Sequence, residues 1–384
     1  MQSDPLDLNE MNPSLLWSAF RFANGVSTRN RLVLAPMTNQ QSHDDGVISD
    51  TELEWLRMRA EGGFGILVSA ASHVREDAKG FDGQLGCFSD RHIPGLARFA
   101  ALGRASGSLS ILQLFHGGLR SPRRLTGVRP VAPSEVQLDF PGFELPRALR
   151  EGDIEQIIAD FARAAQRAQA AGLSGIEIHG ANGYLFAQFL SQATNLRVDR
   201  WGGSLENRAR FLLCVVSAIR SVVPQEFLLG VRLLLEDSSP QRGFDIDEML
   251  QVVEWLGAAG IDYLHVSSRD VRSRSWKYPA SGEANIKRAR AALERKVALV
   301  AVGGVRTLAD AAFALGEGAD LVAIGREAIA VPRWPQQAVF EGYAPAAYPL
   351  APRELERQGV SAPFLAYLRP FGLVADLEET GGSH

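Results

Sequence analysis

Short apolar runs rich in β-branched residues recur along the chain, and most of them are followed by a segment whose apolar positions have helical spacing. Near-continuous apolar runs are typical of strands buried on both faces, as in a parallel sheet. The pattern therefore predicts eight strands, at Arg31–Met37, Phe64–Ala70, Leu109–Phe115, Gly175–His179, Phe227–Leu233, Tyr263–Ser267, Val297–Val302 and Leu321–Gly325.

Helical spacing predicts helices between these strands. Ser49 and Asp50 form an N-cap pair before the first of them, and Gly172 ends the one that follows strand three. The predicted helices are Thr51–Ala60, Ile154–Ala171, Leu205–Val222, Ile246–Ala259, Asn285–Arg295 and Leu308–Leu315. The alternation indicates an α/β protein with the (β/α)8 TIM-barrel fold. A doubly wound sheet is the alternative, but no Gly-x-Gly-x-x-Gly motif follows any strand.

The predicted barrel is a single domain of residues 1–384. Its longest connection, residues 117–150, follows strand three and is rich in proline, with a strand-like piece at Val136–Phe140. An insertion at this place in a barrel is expected to cap the active-site face. The C-terminal tail, about residues 332–384, is expected to wrap the barrel.

Composition, net charge and cysteine content indicate which kinds of protein, partner and compartment fit this chain. Of the 384 residues 46% are hydrophobic and 22% charged, which is ordinary for a soluble protein with a large core. The net charge of -4 gives no reason to expect nucleic acid or an anionic membrane as a partner. Cys87 and Cys214 lie far apart and share no metal-ligand spacing, so no metal site is expected. A polar N-terminus unlike a signal peptide and the small number of cysteines favour the cytoplasm.

Three polar side chains follow the fourth predicted strand: His179, Asn182 and Tyr184. Polar groups at the carboxyl ends of barrel strands form the active site in this fold. A histidine and an asparagine can hold a developing oxyanion with two hydrogen bonds, and a phenol can deliver a proton. Together they predict an enzyme that makes a carbonyl oxygen negative while it protonates carbon. Taken singly, Asn182 could cap a helix, His179 could be a buried structural histidine and Tyr184 could be a core aromatic.

Two glycine motifs come late in the chain. Gly303-Gly304 follows strand seven and Gly325-Arg326 lies at the end of strand eight, where TIM barrels commonly bind phosphate. Glycine lets amide groups approach an anion closely, and arginine adds a forked cation. Either motif alone could simply turn the chain, but both at these two strands favour a phosphate site.

Further polar residues lie in other predicted strands. Gln113, in strand three, has the donors and the acceptor needed to bind the edge of a heterocycle. Arg232, in strand five, would need an anionic partner if buried. Thr38, after Pro36 and Met37, adds a hydroxyl at the end of strand one. Their convergence on one face of the barrel favours a single binding site.

Several of these segments resemble the old yellow enzyme family of flavin-dependent ene-reductases. The resemblance runs from about Arg29 to Pro335. Its most specific pieces are Leu34-Ala-Pro-Met-Thr38, Gln113-Leu-Phe-His116, His179-Gly-Ala-Asn-Gly-Tyr-Leu185, Asn195–Arg208 and Ala323-Ile-Gly-Arg-Glu327. Where the family often has His-x-Gly-Arg after strand three, this chain has His116-Gly-Gly-Leu119, and Arg120 comes one step later.

The resemblance implies non-covalently bound FMN. Residues at positions that contact the flavin ring are Pro36, Thr38, Ala70, Gln113 and Arg232, and the phosphate site corresponds to Gly303, Gly304, Gly325 and Arg326. His179 and Asn182 match the pair that binds the substrate carbonyl, and Tyr184 matches the proton donor. Phe115, Gln40 and the 117–150 insertion are expected to give the substrate pocket its own shape.

The activity implied is a ping-pong reaction. NADH or NADPH reduces flavin N5, and the β-carbon of an electrophilic alkene, an α,β-unsaturated carbonyl or nitro compound, then takes the hydride while Tyr184 protonates the α-carbon. Relatives that carry an iron–sulfur cluster need a cysteine cluster, which two isolated cysteines do not supply. A flavin-binding redox sensor on the same scaffold is the non-enzymatic alternative. The sequence leaves the oligomeric state open, with a homo-oligomer as one option.

Overall fold

Eight parallel strands form a closed barrel in the computed structural model, which describes residues 13–139, 142–237 and 243–376. Each strand pairs with its neighbours in chain order, and the eighth pairs with the first. The strands are β1 (Leu32–Leu34), β2 (Ile66–Val68), β3 (Leu109–Phe115), β4 (Gly175–Gly180), β5 (Leu228–Leu233), β6 (Tyr263–Ser267), β7 (Ala298–Val302) and β8 (Leu321–Ile324). The predicted (β/α)8 barrel is thus confirmed.

Several hydrogen-bonded strands are shorter than the apolar runs that predicted them. The run Arg31–Met37 contains only three paired residues, Leu32–Leu34. Ala35 and Pro36 are buried as well, although they have left the strand. An apolar run indicates buried residues, which need not belong to a strand. Residues beyond the carboxyl end of a strand are also buried when they line a site, so the run is longer than the strand.

Helices cover the outside of the barrel, and the predicted ones are all present with ends shifted by at most three residues. They are α1 (Asp50–Glu61), α2 (Ile93–Ser106), α3 (Glu151–Ala170), α4 (Leu205–Arg220), α5 (Ile246–Ala258), α6 (Asn285–Ala292), α7 (Leu308–Gly316) and α8 (Arg326–Ala330). Helices α2 and α8 were not predicted. Pro94 and Gly95 interrupt the pattern at the start of α2, but proline is tolerated in a first turn because its missing N–H has no helical partner there.

The barrel interior changes from apolar to polar along the strands. At the amino end, Tyr263 fills the centre, and its ring lies where a Cβ on Gly230 would be, within 2.0 Å. A short hairpin, Phe20–Arg21 with Ser27–Thr28, adds Phe22 beneath it. Nearer the carboxyl ends the inward side chains are polar, which places the chemistry at that end of the barrel.

The insertion after β3 caps this end, but its predicted strand is wrong. Residues 136–139 form no strand, and Phe140 lies outside the described residues. Val131–Ala132 instead pairs in parallel with Arg147–Ala148. The alternation of Val136–Asp139 imitates a strand, yet a closed barrel offers it no edge to join. Residues of the insertion do line a cavity above the strands, as described below.

The described part of the C-terminal tail packs against α1 and α8, as expected. Its helices are Trp334–Gln337, Pro352–Glu356 and Ala362–Leu368. Buried Arg59 of α1 donates hydrogen bonds to Ala328 O, Ile329 O and Gln358 O, and so ties the tail to the barrel. Among the described residues, no helix is long and apolar enough to cross a membrane.

Candidate active site

A cavity of about 300 Å³ opens at the carboxyl end of the barrel. It brings together nine of the twelve residues predicted for the site: Pro36, Thr38, Gln113, His179, Asn182, Tyr184, Arg232, Gly325 and Arg326. They come from β1, β3, β4, β5 and β8 or the loops that follow these strands. Residues distant in sequence therefore form one site because parallel strands end at the same face.

Strand register builds a buried polar layer beneath this cavity. Gln113 lies opposite Glu177, and Arg232 lies between His179 and His265. The Glu177 carboxylate is fully buried; Gln113 Nε2 donates to its Oε1 at 2.7 Å, and His265 Nδ1 lies 2.9 Å from its Oε2. Burial alone would raise the pKa of Glu177, but His265 and Arg232 outweigh it and hold the pKa below its usual value. Glu177 is therefore ionised at neutral pH, and its negative charge compensates the positive charge of Arg232 in the same layer.

His179 is a neutral hydrogen-bond donor. Burial and the charge of Arg232 lower its pKa to about 3. Its Nδ1 accepts a hydrogen bond from Ala181 N at 3.3 Å, so the neutral ring carries its proton on Nε2. A neutral imidazole donates a hydrogen bond to an oxygen without becoming the source of the transferred proton.

Asn182 lies in the left-handed region, with φ 58°, a conformation that asparagine tolerates better than most residues. Its side chain makes no hydrogen bond to another described residue, and it lines the cavity with His179. Two neutral donors, the imidazole and the amide, can therefore meet one oxygen atom of a ligand.

The Tyr184 ring packs edge-on against His179 and Phe115, with centroid distances of 4.9 Å and 4.4 Å. Burial raises the pKa of Tyr184, so the phenol keeps its proton at neutral pH. Helix Leu185–Leu190 begins directly after it and fixes its position. The arrangement holds a protonated phenol at the cavity wall, where it can donate its proton to a bound ligand.

Arg232 places a half-buried cation in the floor of the cavity. Its Nη1 donates to Pro36 O at 3.3 Å and its Nη2 to Ser267 Oγ at 3.2 Å. Its buried Nε has no partner among the described residues. Because arginine retains its proton even when burial lowers its pKa, the site offers a fixed charge and an unused donor to a ligand.

An anion can be held at the β8 side of the cavity. The amide groups of Gly325 and Arg326 donate to no backbone carbonyl within the described chain, and the exposed Arg326 side chain forms no ion pair there. A Cβ on Gly325 would meet nothing closer than 3.8 Å, so the cavity reaches its backbone. Gly325 and Arg326, two of the four residues predicted for a phosphate site, could therefore hold an anion here.

Ala70, Gly303 and Gly304 are not among the residues that line the cavity. The next residue, Ala71, lines the cavity in place of Ala70. Gly303, with φ 136°, packs against the loop after β6, where an added Cβ would lie 2.5 Å from Ser268 O. Its neighbour Val302 lines the cavity.

Sequence reasoning missed the contribution of the C-terminal tail to the site. Phe364, Tyr367 and Phe371 line the cavity, and Tyr367 lies within hydrogen-bonding reach of Thr38. A signal existed: these aromatics recur at helical spacing on one face of Ala362–Leu368 and the turn after it. His116, which directly follows β3, is buried outside the cavity, where its Nδ1 accepts a hydrogen bond from Gly118 N at 3.1 Å.

A family model described as NADH:flavin oxidoreductase / NADH oxidase matches residues 16–341. The chain belongs to this family. The resemblance to old yellow enzymes is confirmed by a solved homologue of that enzyme from Zymomonas mobilis, which has a TM-score of 0.75 and 26% identity and covers 84% of this chain and 91% of its own.

Curated relatives agree with this assignment. A probable NADH-dependent flavin oxidoreductase of Bacillus subtilis is 38% identical over 331 residues, 84% of this chain and 88% of the relative. An NADH:fumarate oxidoreductase of Klebsiella pneumoniae is 37% identical over 82% of this chain, but the match spans only 35% of that longer protein. The protein is therefore an oxidoreductase that uses FMN as its cofactor and a nicotinamide as its hydride donor.

The residues present fit FMN. The unpartnered Nε of Arg232 and the amide of Gln113, oriented by Glu177, can bind the polar edge of the ring. Gly325 and Arg326 can bind the phosphate. A cation beside the ring favours its anionic reduced form. His179, Asn182 and Tyr184 remain available for a second ligand above it.

Proposed function

We propose that this flavin oxidoreductase is an ene-reductase that acts on α,β-unsaturated carbonyl or nitro compounds. The observation that supports it is the grouping of two neutral donors, His179 and Asn182, with one protonated phenol, Tyr184, around a single cavity. When bound, FMN supplies the hydride, which it takes from NAD(P)H and gives to the β-carbon of the alkene.

His179 and Asn182 bind the carbonyl or nitro oxygen of the substrate. Negative charge grows on that oxygen as the β-carbon is reduced, and hydrogen bonds to it strengthen in the transition state. His179 is buried, so its hydrogen bond to this charge faces little competition from bulk water, whereas Asn182 is exposed at the mouth of the cavity. Because His179 is neutral, it stabilises the charge and keeps its own proton.

Tyr184 completes the reaction by giving its phenolic proton to the α-carbon. A pKa raised by burial keeps the hydroxyl protonated until carbanion character develops on the substrate. Hydride and proton then add to the two carbons of the double bond, which becomes a single bond. We expect the proton to arrive from the face opposite the hydride, giving net trans addition.

The test uses the two half-reactions measured by stopped flow. Tyr184→Phe is expected to slow the reaction of the reduced enzyme with an enone by about 10²-fold, the usual contribution of a general acid. Flavin reduction by NAD(P)H should be spared, because no proton is delivered to carbon there. A nitroalkene should be less sensitive, since its nitronate is stable without immediate protonation.

Tyr367→Phe is the matched control, since Tyr367 lines the same cavity but interacts with Thr38. It should change the enone half-reaction much less. The proposed mechanism would be wrong if Tyr184→Phe slowed flavin reduction and left enone reduction intact. A protein that reduces its flavin but turns over none of a panel of enones and nitroalkenes would favour the sensor alternative.

A further inference from the structure

A second cavity, of about 710 Å³, adjoins the first. Asn182 and Arg232 line both, so a ligand held in the catalytic cavity can extend into this one. It lies above the ends of β4 and β5, between the insertion after β3 and the loop after β6. Its volume, within the range of sites for drug-sized ligands, exceeds what a small enone fills.

Arginine dominates the charge of this second cavity. Arg120 comes from the insertion and Arg269 from the loop after β6, and both are exposed. The Arg120 guanidinium lies 3.3–3.7 Å from the Cβ position of Gly183, and its charge acts on the neighbouring Tyr184. Arg269 forms no ion pair within the described residues. Both cations are thus close to a ligand that reaches the catalytic groups.

Two further polar side chains of the wall are held by hydrogen bonds within the protein. Gln188 Nε2 donates to Gly117 O and Gly183 O, and its Oε1 accepts from Leu119 N. Asp237 Oδ2 accepts from Gly243 N at 2.8 Å, and Asp139, the second acid, is exposed. With Arg232 as a third cation, the described residues of the lining carry three positive and two negative formal charges.

We propose that the substrate is an electron-poor alkene with an anionic tail, a carboxylate or a phosphate, that occupies this second cavity. The proposal rests on the proposed ene-reductase function and specifies its substrate class. The carbonyl end lies between His179 and Asn182, and the tail passes Gly183 to reach Arg120 and Arg269. Arginine suits this task because its planar fork binds both oxygens of a carboxylate or phosphate.

The experiment compares methyl-ketone enones that carry a terminal carboxylate on the β-carbon side with their methyl esters, over a series of tail lengths. The holoenzyme should prefer the carboxylate by about tenfold or more in kcat/KM at the best length, as charge-assisted hydrogen bonds predict. R120Q and R269Q should each reduce this ratio, and R269E should reduce it further. R123Q is the matched control: Arg123 is exposed on the same insertion but outside the cavity, and the ratio should stay unchanged.

A binding arm keeps this proposal separate from the ene-reductase activity. Saturated analogues of the same acid and ester cannot react, and calorimetry with the holoenzyme should show the acid bound more tightly, with the difference lost in R269E. Equal Kd values for acid and ester would overturn the anion site whatever the enzyme turns over. Selective binding of the acid without turnover of any alkene would leave the site standing and overturn the ene-reductase.

The hydride donor also carries phosphates, so a third arm compares NADH with uncharged N-benzyl-1,4-dihydronicotinamide in flavin reduction. If the arginine variants weaken only the reaction with NADH, and acid and ester behave alike, the cavity holds the donor and the substrate proposal is wrong. If the carboxylate preference falls and the NADH reaction is unaffected, the anionic substrate tail is supported.

Discussion

Gln113 Nε2 donates a 2.7 Å hydrogen bond to the fully buried carboxylate of Glu177 on the neighbouring strand. The bond fixes which way the Gln113 amide faces, so its oxygen and second N–H are free to be presented to the cavity. Glu177 also holds His265 and compensates the charge of Arg232. A residue that lies outside the cavity therefore orders the side chains that we propose to bind the cofactor.

Glu177→Gln tests this role. The isosteric change removes the charge and one of the two acceptor oxygens that bind Gln113 and His265, and it should lower the free energy of unfolding by about 2 kcal/mol. FMN retention should fall too, because the Gln113 amide loses its fixed orientation. Urea denaturation and FMN titration measure the two effects. The exposed Glu254→Gln is the control, and equal stability of the two variants would show that the buried carboxylate contributes little.

Arg232→Ala should lower the reduction potential of the bound flavin. Removing a cation beside the ring destabilises the reduced anion more than the oxidised form. A shift on the order of 30 mV corresponds to about 1.4 kcal/mol for two electrons and is the minimum we expect. Arg232→Lys retains a positive charge, so its flavin should have a reduction potential between those of the unchanged protein and Arg232→Ala. An unchanged potential at full FMN occupancy in Arg232→Ala would mean that this cation does not face the flavin.

Asn182→Gly should slow the enone half-reaction by about 10²-fold, the typical loss for one oxyanion donor. Glycine is the informative substitution because φ at this position is 58°, where alanine would add backbone strain to the loss of the amide. His179→Ala should have a similar effect. Stopped-flow comparison with flavin reduction separates the steps, and equal slowing of both would assign the pair to nicotinamide binding.

The stability of the apo-protein should fall as the pH drops below 6.5. Burial lowers the pKa of His73 and His116 to about 4 and, together with Arg232, that of His179 to about 3. In the unfolded chain these histidines have a pKa near 6.5. Between that pH and the lower pKa of the folded state, the unfolded state binds more protons than the folded state, so the free energy of unfolding falls as the pH drops.

At pH 5 each of these three histidines should lower the free energy of unfolding by about 2 kcal/mol relative to its value at pH 7.5. Urea denaturation at the two pH values checks this. His116→Gln should remove its share of the difference, and the exposed His43→Gln should not. A free energy of unfolding that is the same at both pH values would show that these histidines take up protons in the folded state.

Local chemistry made much of the site predictable from sequence. Apolar strands that end in polar or glycine residues identified the carboxyl face, because a barrel needs buried strands and leaves only their ends for function. His179, Asn182 and Tyr184 lie within six residues, and Gly325-Arg326 are adjacent. Residues this close in sequence stay close together in the folded chain, and the structure brings all five of these residues to one cavity.

What the sequence by itself determined is the eight-fold alternation, the barrel and the family motifs, since periodicity and adjacent residues are encoded along the chain. Only the tertiary structure decided which side chains meet across it. Strand register pairs Gln113 with Glu177, tail packing brings Tyr367 to Thr38, and loop geometry brings Arg120 and Arg269 to one cavity. It also removed the predicted strand at Val136–Phe140 over its described residues, because a closed barrel has no free edge. These contacts depend on distances between segments far apart in the chain, which no local pattern specifies.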